Sequence, residues 1–242
     1  MEILRLHEKI RKFKSLFISI SAIFIGIVYV FTILISIYIP QTRGFFNLGE
    51  IGVYIAAIIG GPYIGGIAGG IGSCMADITL GYSYYAPGTL IIKGLEGFIV
   101  GILVEYFLSR PRKLSRGIVI AAIIIITFLL YFLGSNLYIG SAELTILIGS
   151  TILVNINEIV WLAISVLFAL ISLYVVVKYP EISTWILAMV SGGAEMILGY
   201  YLYEQYILGY LAVAEVPFNT MQVLIGIFGT SIILQYIRRL RL

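Results

Sequence analysis

Residues 46–101 read FNLGEIGVYIAAIIGGPYIGGIAGGIGSCMADITLGYSYYAPGTLIIKGLEGFIVG. Glycine and proline punctuate this stretch far more than charge does. One apolar run opens at Gly49-Glu50 and covers 49–60. Gly61-Pro62 breaks the chain, and a second run covers 63–80. A loop at 81–87 carries Tyr82, Tyr84 and Tyr85, and a third run covers 88–108. The first two runs are short for a membrane crossing. Gly61-Pro62 therefore reads either as a tight reversal or as a break within one helix. Gly61, Gly65 and Gly69, with Gly66 and Gly70, recur every four residues and make small faces that let helices approach closely.

The rest of the chain is of the same kind. Of 242 residues, 61% are hydrophobic and 11% are charged, and the mean hydropathy is +1.08. Soluble domains carry about 25% charge, and a soluble fold of this size has too little interior to hide so much apolar surface. A hydrocarbon solvent removes that constraint. With roughly 20 apolar residues per crossing, the expectation is an all-α, polytopic membrane bundle of about eight spans, a single membrane domain over 1–242. Outward from the quoted stretch, the expected spans are 15–39, which stops at Pro40, then 117–133, 152–177 with a helical lead-in at 144–151, 183–207 and 217–237. Residues 41–48 read as a loop. The first long run exceeds a signal-peptide core, so it reads as a retained span. Residues 1–14 place Ile3, Leu6 and Ile10 at helical spacing beside Arg5, Lys9, Arg11, Lys12 and Lys14. That suits an interfacial helix or a plain basic anchor.

Charge placement tests the count. With the amino terminus in the cytoplasm, eight spans put the basic groups at 110–116, 178 and 238–241 on that same side. Only Arg43 falls opposite. That is the asymmetry of a cell-membrane protein with both termini inside, and it is not a nucleic-acid-binding face. One cysteine, Cys74, and one histidine, His7, support neither a disulfide, nor a metal site, nor a Ser-His-Asp triad. No Walker or dinucleotide loop lies between a strand and a helix. The chain is not expected to be an enzyme or to carry a cofactor.

Ionisable groups inside apolar runs mark sites or pair with partners. Here they are Glu50, Asp77, Lys93, Glu96, Glu158, Glu195 and Glu204. Lys93 and Glu96 share a helix face; they either neutralise each other in the bundle or contact a ligand. Glu50, Asp77, Asn219, Gln222 and Glu195 fall toward the outer side, as does the loop with Tyr84.

At these residues the chain resembles the substrate-binding S components of energy-coupling factor (ECF) vitamin transporters, in the riboflavin and hydroxymethylpyrimidine branch. The matching features are Asn47 to Glu50, Gly61-Pro62, Gly65, Gly69-Gly70, Ala76-Asp77, Gly81-Tyr82, Ala86-Pro87, Thr89 and Ile92 to Gly97. Later features are Glu195, Gly199-Tyr200, Pro217, Asn219, Gln222 and Gly226. One departure is Ser73-Cys74 after Gly72, where family members often have an aspartate, so the resemblance names no substrate. Such proteins usually have six spans; by that measure 117–180 is an inserted pair. The resemblance implies an importer subunit that binds a vitamin or precursor near the outer face. Its partners are a transmembrane coupling subunit and two ATPase subunits, with lipid around it. Asn47, Glu50, Asp77, Tyr84, Lys93, Glu96, Glu195, Asn219 and Gln222 are the expected substrate residues. Ser15, Ser19, Ala22 and Gly26 are the expected face toward the coupling subunit. The alternative is a stand-alone facilitator or secondary transporter, which inverted repeats with broken helices would favour.

Overall fold

The computed structural model describes residues 2–39, 44–109, 112–137, 140–146, 150–178 and 183–240. They form two compact units, 1–111 with 184–242, and 112–183.

The first unit is organised around α3 (Gly49–Gly60), in which every residue except Ile59 is buried. Twelve residues rise about 18 Å, well short of a hydrocarbon core of about 30 Å. Enclosure by protein makes the short length tolerable, because no backbone end of α3 has to face lipid. Its neighbours are α1 (Glu2–Lys12), α2 (Lys14–Leu34), α4 (Pro62–Leu80), α5 (Ala86–Leu108) and α9 (Val216–Leu240). α8 (Ser183–Leu208) joins α5 and α9 through a small core of Ile92, Met196 and Val223, and a 3-10 helix (Gly209–Glu215) connects it to α9.

The junction at Gly61-Pro62 is a reversal. Gly61 has φ +84°, open to glycine at no steric cost, and Pro62 supplies a preset first helical residue. Gly65 packs on Ala57 and Gly69 on Val53, positions symmetric about Gly61, so α4 runs back along α3. The four-residue glycine spacing of α4 faces α5. A Cβ at Gly69 or Gly70 would stand 2.5 or 2.6 Å from the carbonyl oxygens of Lys93 and Leu90, closer than any side chain permits. These glycines thus pack two backbones together.

Three sequence expectations change. The first helix ends at Leu34, not near 39. Ser36–Ile39 is strand β1, paired antiparallel with β2 (Gly44–Asn47) in the register Ser36↔Asn47, where 41–48 had read as a loop. A short apolar run fits helix and strand equally by composition, and pairing decides between them. In the second unit, α6 (Arg112–Leu137) and α7 (Glu158–Lys178) pack together. The lead-in expected as helix at 144–151 and the start of the span expected at 152–177 instead fall, among the described residues, on antiparallel strands β3 (Gly140–Ile146) and β4 (Ser150–Ile156), and helix begins at Glu158. Thr145, Ile146, Thr151, Ile152, Val154 and Ile156 supply their β-branched character. The turn suggested at Arg43-Gly44 lies partly outside the described residues.

Among the described residues, Lys14–Leu34, Thr184–Leu208 and Ala212–Ile237 are long and apolar enough to cross a membrane. α4 and α5 have 19 and 23 residues, roughly 28 and 34 Å, but carry their polar and glycine-rich faces inward. Large apolar side chains such as Ile23, Ile91, Leu198 and Phe228 are exposed instead, as a hydrocarbon surround permits.

At the end of the unit where α3 meets α4, α1 is held by His7. Its ring is buried, with Nδ1 2.9 Å from Glu105 Oε1 and Nε2 3.1 Å from the Ile58 carbonyl oxygen. Arg11 adds an ion pair to Glu105 at 3.3 Å. His7→Ala is expected to cost about 1–3 kcal/mol, the loss of buried polar pairing. It should lower the melting temperature of the detergent-solubilised protein; an unchanged transition would show that α1 is not latched here.

Candidate functional site

Three ionisable side chains from α3 and α5 meet inside the first unit. The Lys93 ammonium bonds Glu50 Oε2 and, at 3.0 Å, Glu96 Oε2. All three are at most 4% exposed. Glu96 lies one helical turn after Lys93, as the spacing implies; Glu50 arrives from the first turn of α3, where the helix N-terminus favours an acid. Gly226 of α9 closes over the Glu50 side chain, where a Cβ has no room. Nζ also stands 5.7 Å from the centre of the Tyr200 ring, within cation–π range. Glu50 and Glu96 each keep one oxygen without a hydrogen-bond partner.

Beside this triad, which shares Lys93 with it, lies a partly open cleft between β2, α4, α5, α8 and α9. Its aromatic wall is Phe45, stacked on Tyr82 at 4.4 Å, with Tyr85 and Tyr200. The Tyr200 hydroxyl donates to Thr89 Oγ1 at 3.0 Å, and Thr89 and Asp77 both line the cleft. On the opposite wall the Asn47 backbone N–H donates to Gln222 Oε1 at 3.2 Å, and Gln222 Nε2 donates to Asn219 Oδ1 at 3.0 Å. This relay assigns the amide orientations and leaves Asn219 Nδ2 as a donor without a partner. Asp77 Oδ2 and Glu204 Oε2 are acceptors in the same condition. Buried polar atoms are rarely left unsatisfied, and here three belong to residues that line one cleft. Such a concave cleft, largely polar with three aromatic rings in its lining, has the makings of a small-molecule site.

Residues 12–179 match the family model described as ECF-type riboflavin transporter, S component. The chain belongs to this family. It is therefore a membrane transporter component rather than an enzyme. Among similar proteins is the thiamine precursor transporter HmpT of Lactococcus lactis, 29% identical over 119 residues, 49% of this chain and 70% of that protein. Another is an uncharacterized protein of Pyrococcus woesei, 49% identical over 74 residues, 31% of this chain. The chain spans about half the length of that relative. The family match runs through the unit 112–183 and ends before α8, so the cleft residues of α8 and α9 lie beyond it.

In this S component, Asn47, Asp77, Lys93, Asn219 and Gln222 line the cleft. Glu50 and Glu96 lie beneath it as the partners of Lys93. Tyr84 is 42% exposed, packs on Tyr85 at 4.8 Å and accepts through its carbonyl oxygen from the Tyr203 hydroxyl at 2.8 Å. It stands outside the lining. So does Glu195, half-buried along α8 with Oε2 unpartnered. Sequence reasoning did not select Phe45, Tyr85, Thr89, Tyr200, Glu204 or Glu215. Tyr200 and Glu204 carried a signal, since they share the outer half of α8. Glu215 carried none, because it closes a connection that reads as loop. Ser15, Ser19, Ala22 and Gly26 are all exposed along one face of α2, and nothing packs on Gly26.

Removing the cation from a buried triad strands its acids, at about 3–5 kcal/mol. Lys93→Met should therefore lower the melting temperature sharply, and adding Glu50→Gln with Glu96→Gln should recover most of the loss. A single variant that melts like the parent would show that the triad does not hold α3 to α5.

Proposed function

We propose that this S component binds a vitamin or vitamin precursor in the cleft above Lys93. It carries the ligand across the cell membrane together with an ECF transmembrane coupling subunit and two ATPase subunits. The observation that carries the reading is the set of three buried, unpartnered polar atoms on Asp77, Glu204 and Asn219, residues that line one cleft together with Phe45, Tyr85 and Tyr200. The name of the Lactococcus lactis relative supports the vitamin-like substrate class. Asn47, Asp77, Lys93, Asn219 and Gln222 are the substrate residues of this reading, with Tyr84 at the rim. Glu50 and Glu96 position Lys93, and Glu195 is a further substrate residue of this reading outside the lining.

The six-helix binding core is α2 to α5 with α8 and α9, within the unit 1–111 with 184–242, and 112–183 is an inserted pair of helices. The separate compactness of the two units supports that division. Both termini lie in the cytoplasm, supported by the basic residues at the chain ends and at 112–116. The exposed small face Ser15, Ser19, Ala22 and Gly26 receives a helix of the coupling subunit, because small residues allow close backbone approach in lipid.

Asn219→Ala should weaken binding of the cognate vitamin at least about tenfold, roughly 1.4 kcal/mol, in equilibrium dialysis with detergent-purified protein. Wild-type affinity would move the site elsewhere. Replacing both Ala22 and Gly26 by leucine should abolish co-purification with the coupling and ATPase subunits while leaving vitamin binding intact. Retained co-purification would remove this face from the docking surface.

A further inference from the structure

The charges of the buried triad do not balance. Two carboxyl groups face one ammonium, so full ionisation leaves a net negative charge on three side chains that are each at most 4% exposed. An uncompensated charge in that setting is far more costly than a neutral acid. The pairing is also incomplete. Lys93 engages Oε2 of each glutamate, while Oε1 of each is buried without a hydrogen-bond partner. Tyr54, one turn after Glu50 on α3, is fully buried, and its hydroxyl has no partner either.

The surrounding elements do not correct the imbalance. α8 contributes Glu195 and α4 contributes Asp77, both within electrostatic reach of Lys93. Ionised, they add negative charge; protonated, they leave the triad as it is. α8 also lays the neutral Tyr200 ring against Lys93. α9 brings Gly226 onto Glu50, with the neutral Asn219 and Gln222 toward the cleft. α2 brings Thr32 to the start of α3, and α1 meets α3 at its other end, through His7 and Ile58. Space around the acids is short. Gly226 leaves no room for a Cβ against Glu50 or Tyr54, and a Cβ at Gly193 would stand 2.9 Å from the Tyr54 hydroxyl oxygen. A metal ion needs several oxygen ligands and the volume to seat it. A proton needs one oxygen and no volume.

We propose that Glu50 and Glu96 form a proton-binding site: between them they hold one proton, which makes the buried triad neutral. Two carboxyl groups sharing a buried site do not both ionise, and the proton belongs to the pair rather than to either residue. The neutral acid gains a donor in a cluster whose unpartnered atoms are two carboxyl oxygens and one hydroxyl. Lys93 also lines the cleft, so the protonation of the pair and the electrostatics of the cleft are linked. The unfolded chain releases this proton above the ordinary glutamate range, about pH 4.3, whereas the folded protein keeps it. The folded state then binds more protons than the unfolded state, and stability falls as pH rises through that window.

The test compares the full chain with its Glu50→Gln and Glu96→Gln variants in mixed micelles, each unfolded reversibly with a denaturing detergent at about pH 5, 6 and 7. Either glutamine leaves a single carboxylate to pair with Lys93 and no shared proton to keep. With each step in pH, the folding equilibrium of the parent should fall about tenfold relative to either variant. Other titrating groups are common to all three proteins and cancel. Infrared spectra of the folded proteins at neutral pH give a second readout. The parent-minus-variant difference should show the carbonyl stretch of a protonated carboxylic acid. Parallel pH profiles, or a difference spectrum that holds only carboxylate bands, overturn the proposal. So does a parent whose stability ignores pH but rises when sodium chloride replaces choline chloride, because a metal ion then balances the triad. A neutral isostere keeps the shape of a pair that already holds one proton, so failure of both variants to fold overturns it as well.

Discussion

The ion triad of Lys93, Glu50 and Glu96 is the constraint around which the first unit is arranged. Charges inside an apolar surround are tolerated only when they are paired. Pairing across α3 and α5 requires those helices to lie in contact with their polar residues at one level. That in turn requires α3 to be wrapped by protein. Glycine makes the wrapping close enough: Gly226 lets α9 cover Glu50, and Gly69 and Gly70 bring α4 against the α5 backbone. The short length of α3 follows from the same arrangement, since a helix without lipid contact has no hydrocarbon thickness to match.

The triad also shapes the cleft above it. By binding the lysine from below, the two glutamates withdraw most of its hydrogen-bonding capacity from the cleft. What remains at ligand level is an aromatic wall, an oriented amide and carboxyl oxygens. The orientation of Asn219 is set at a distance, through Gln222, by the backbone of Asn47 in β2. The β1–β2 hairpin is therefore part of the site and more than a connection, because its pairing places both Phe45 and the Asn47 N–H.

Much of the membrane architecture was legible in the residue order because lipid imposes strong composition rules. Apolar length identifies helices, and glycine spacing identifies close-packing faces. The Lys93–Glu96 pair announced itself through a three-residue spacing. Glu50 as the third member did not, since it comes from a helix 43 residues earlier and no local pattern reports such contacts. Ser36–Ile39 and the hairpin at 140–156 misled for a different reason. Short β-branched apolar runs satisfy helix and strand templates alike, and their hydrogen-bond partners lie outside the run. His7 read as one more basic tail residue, because only the fold brings Glu105 and Ile58 to it.

The sequence by itself determined the solvent, the helical class and the family of this protein. Hydropathy, charge asymmetry and motif order are one-dimensional properties, and a bilayer reads them one segment at a time. Tertiary structure alone decided that 49–80 doubles back at Gly61 and that α1 is latched by a buried histidine. It alone decided which polar residues share a cleft and which pair beneath it. Those outcomes depend on distances between segments far apart in the chain. Several ionisable residues at similar depth could pair in several ways, and packing selects among them by leaving room for one arrangement.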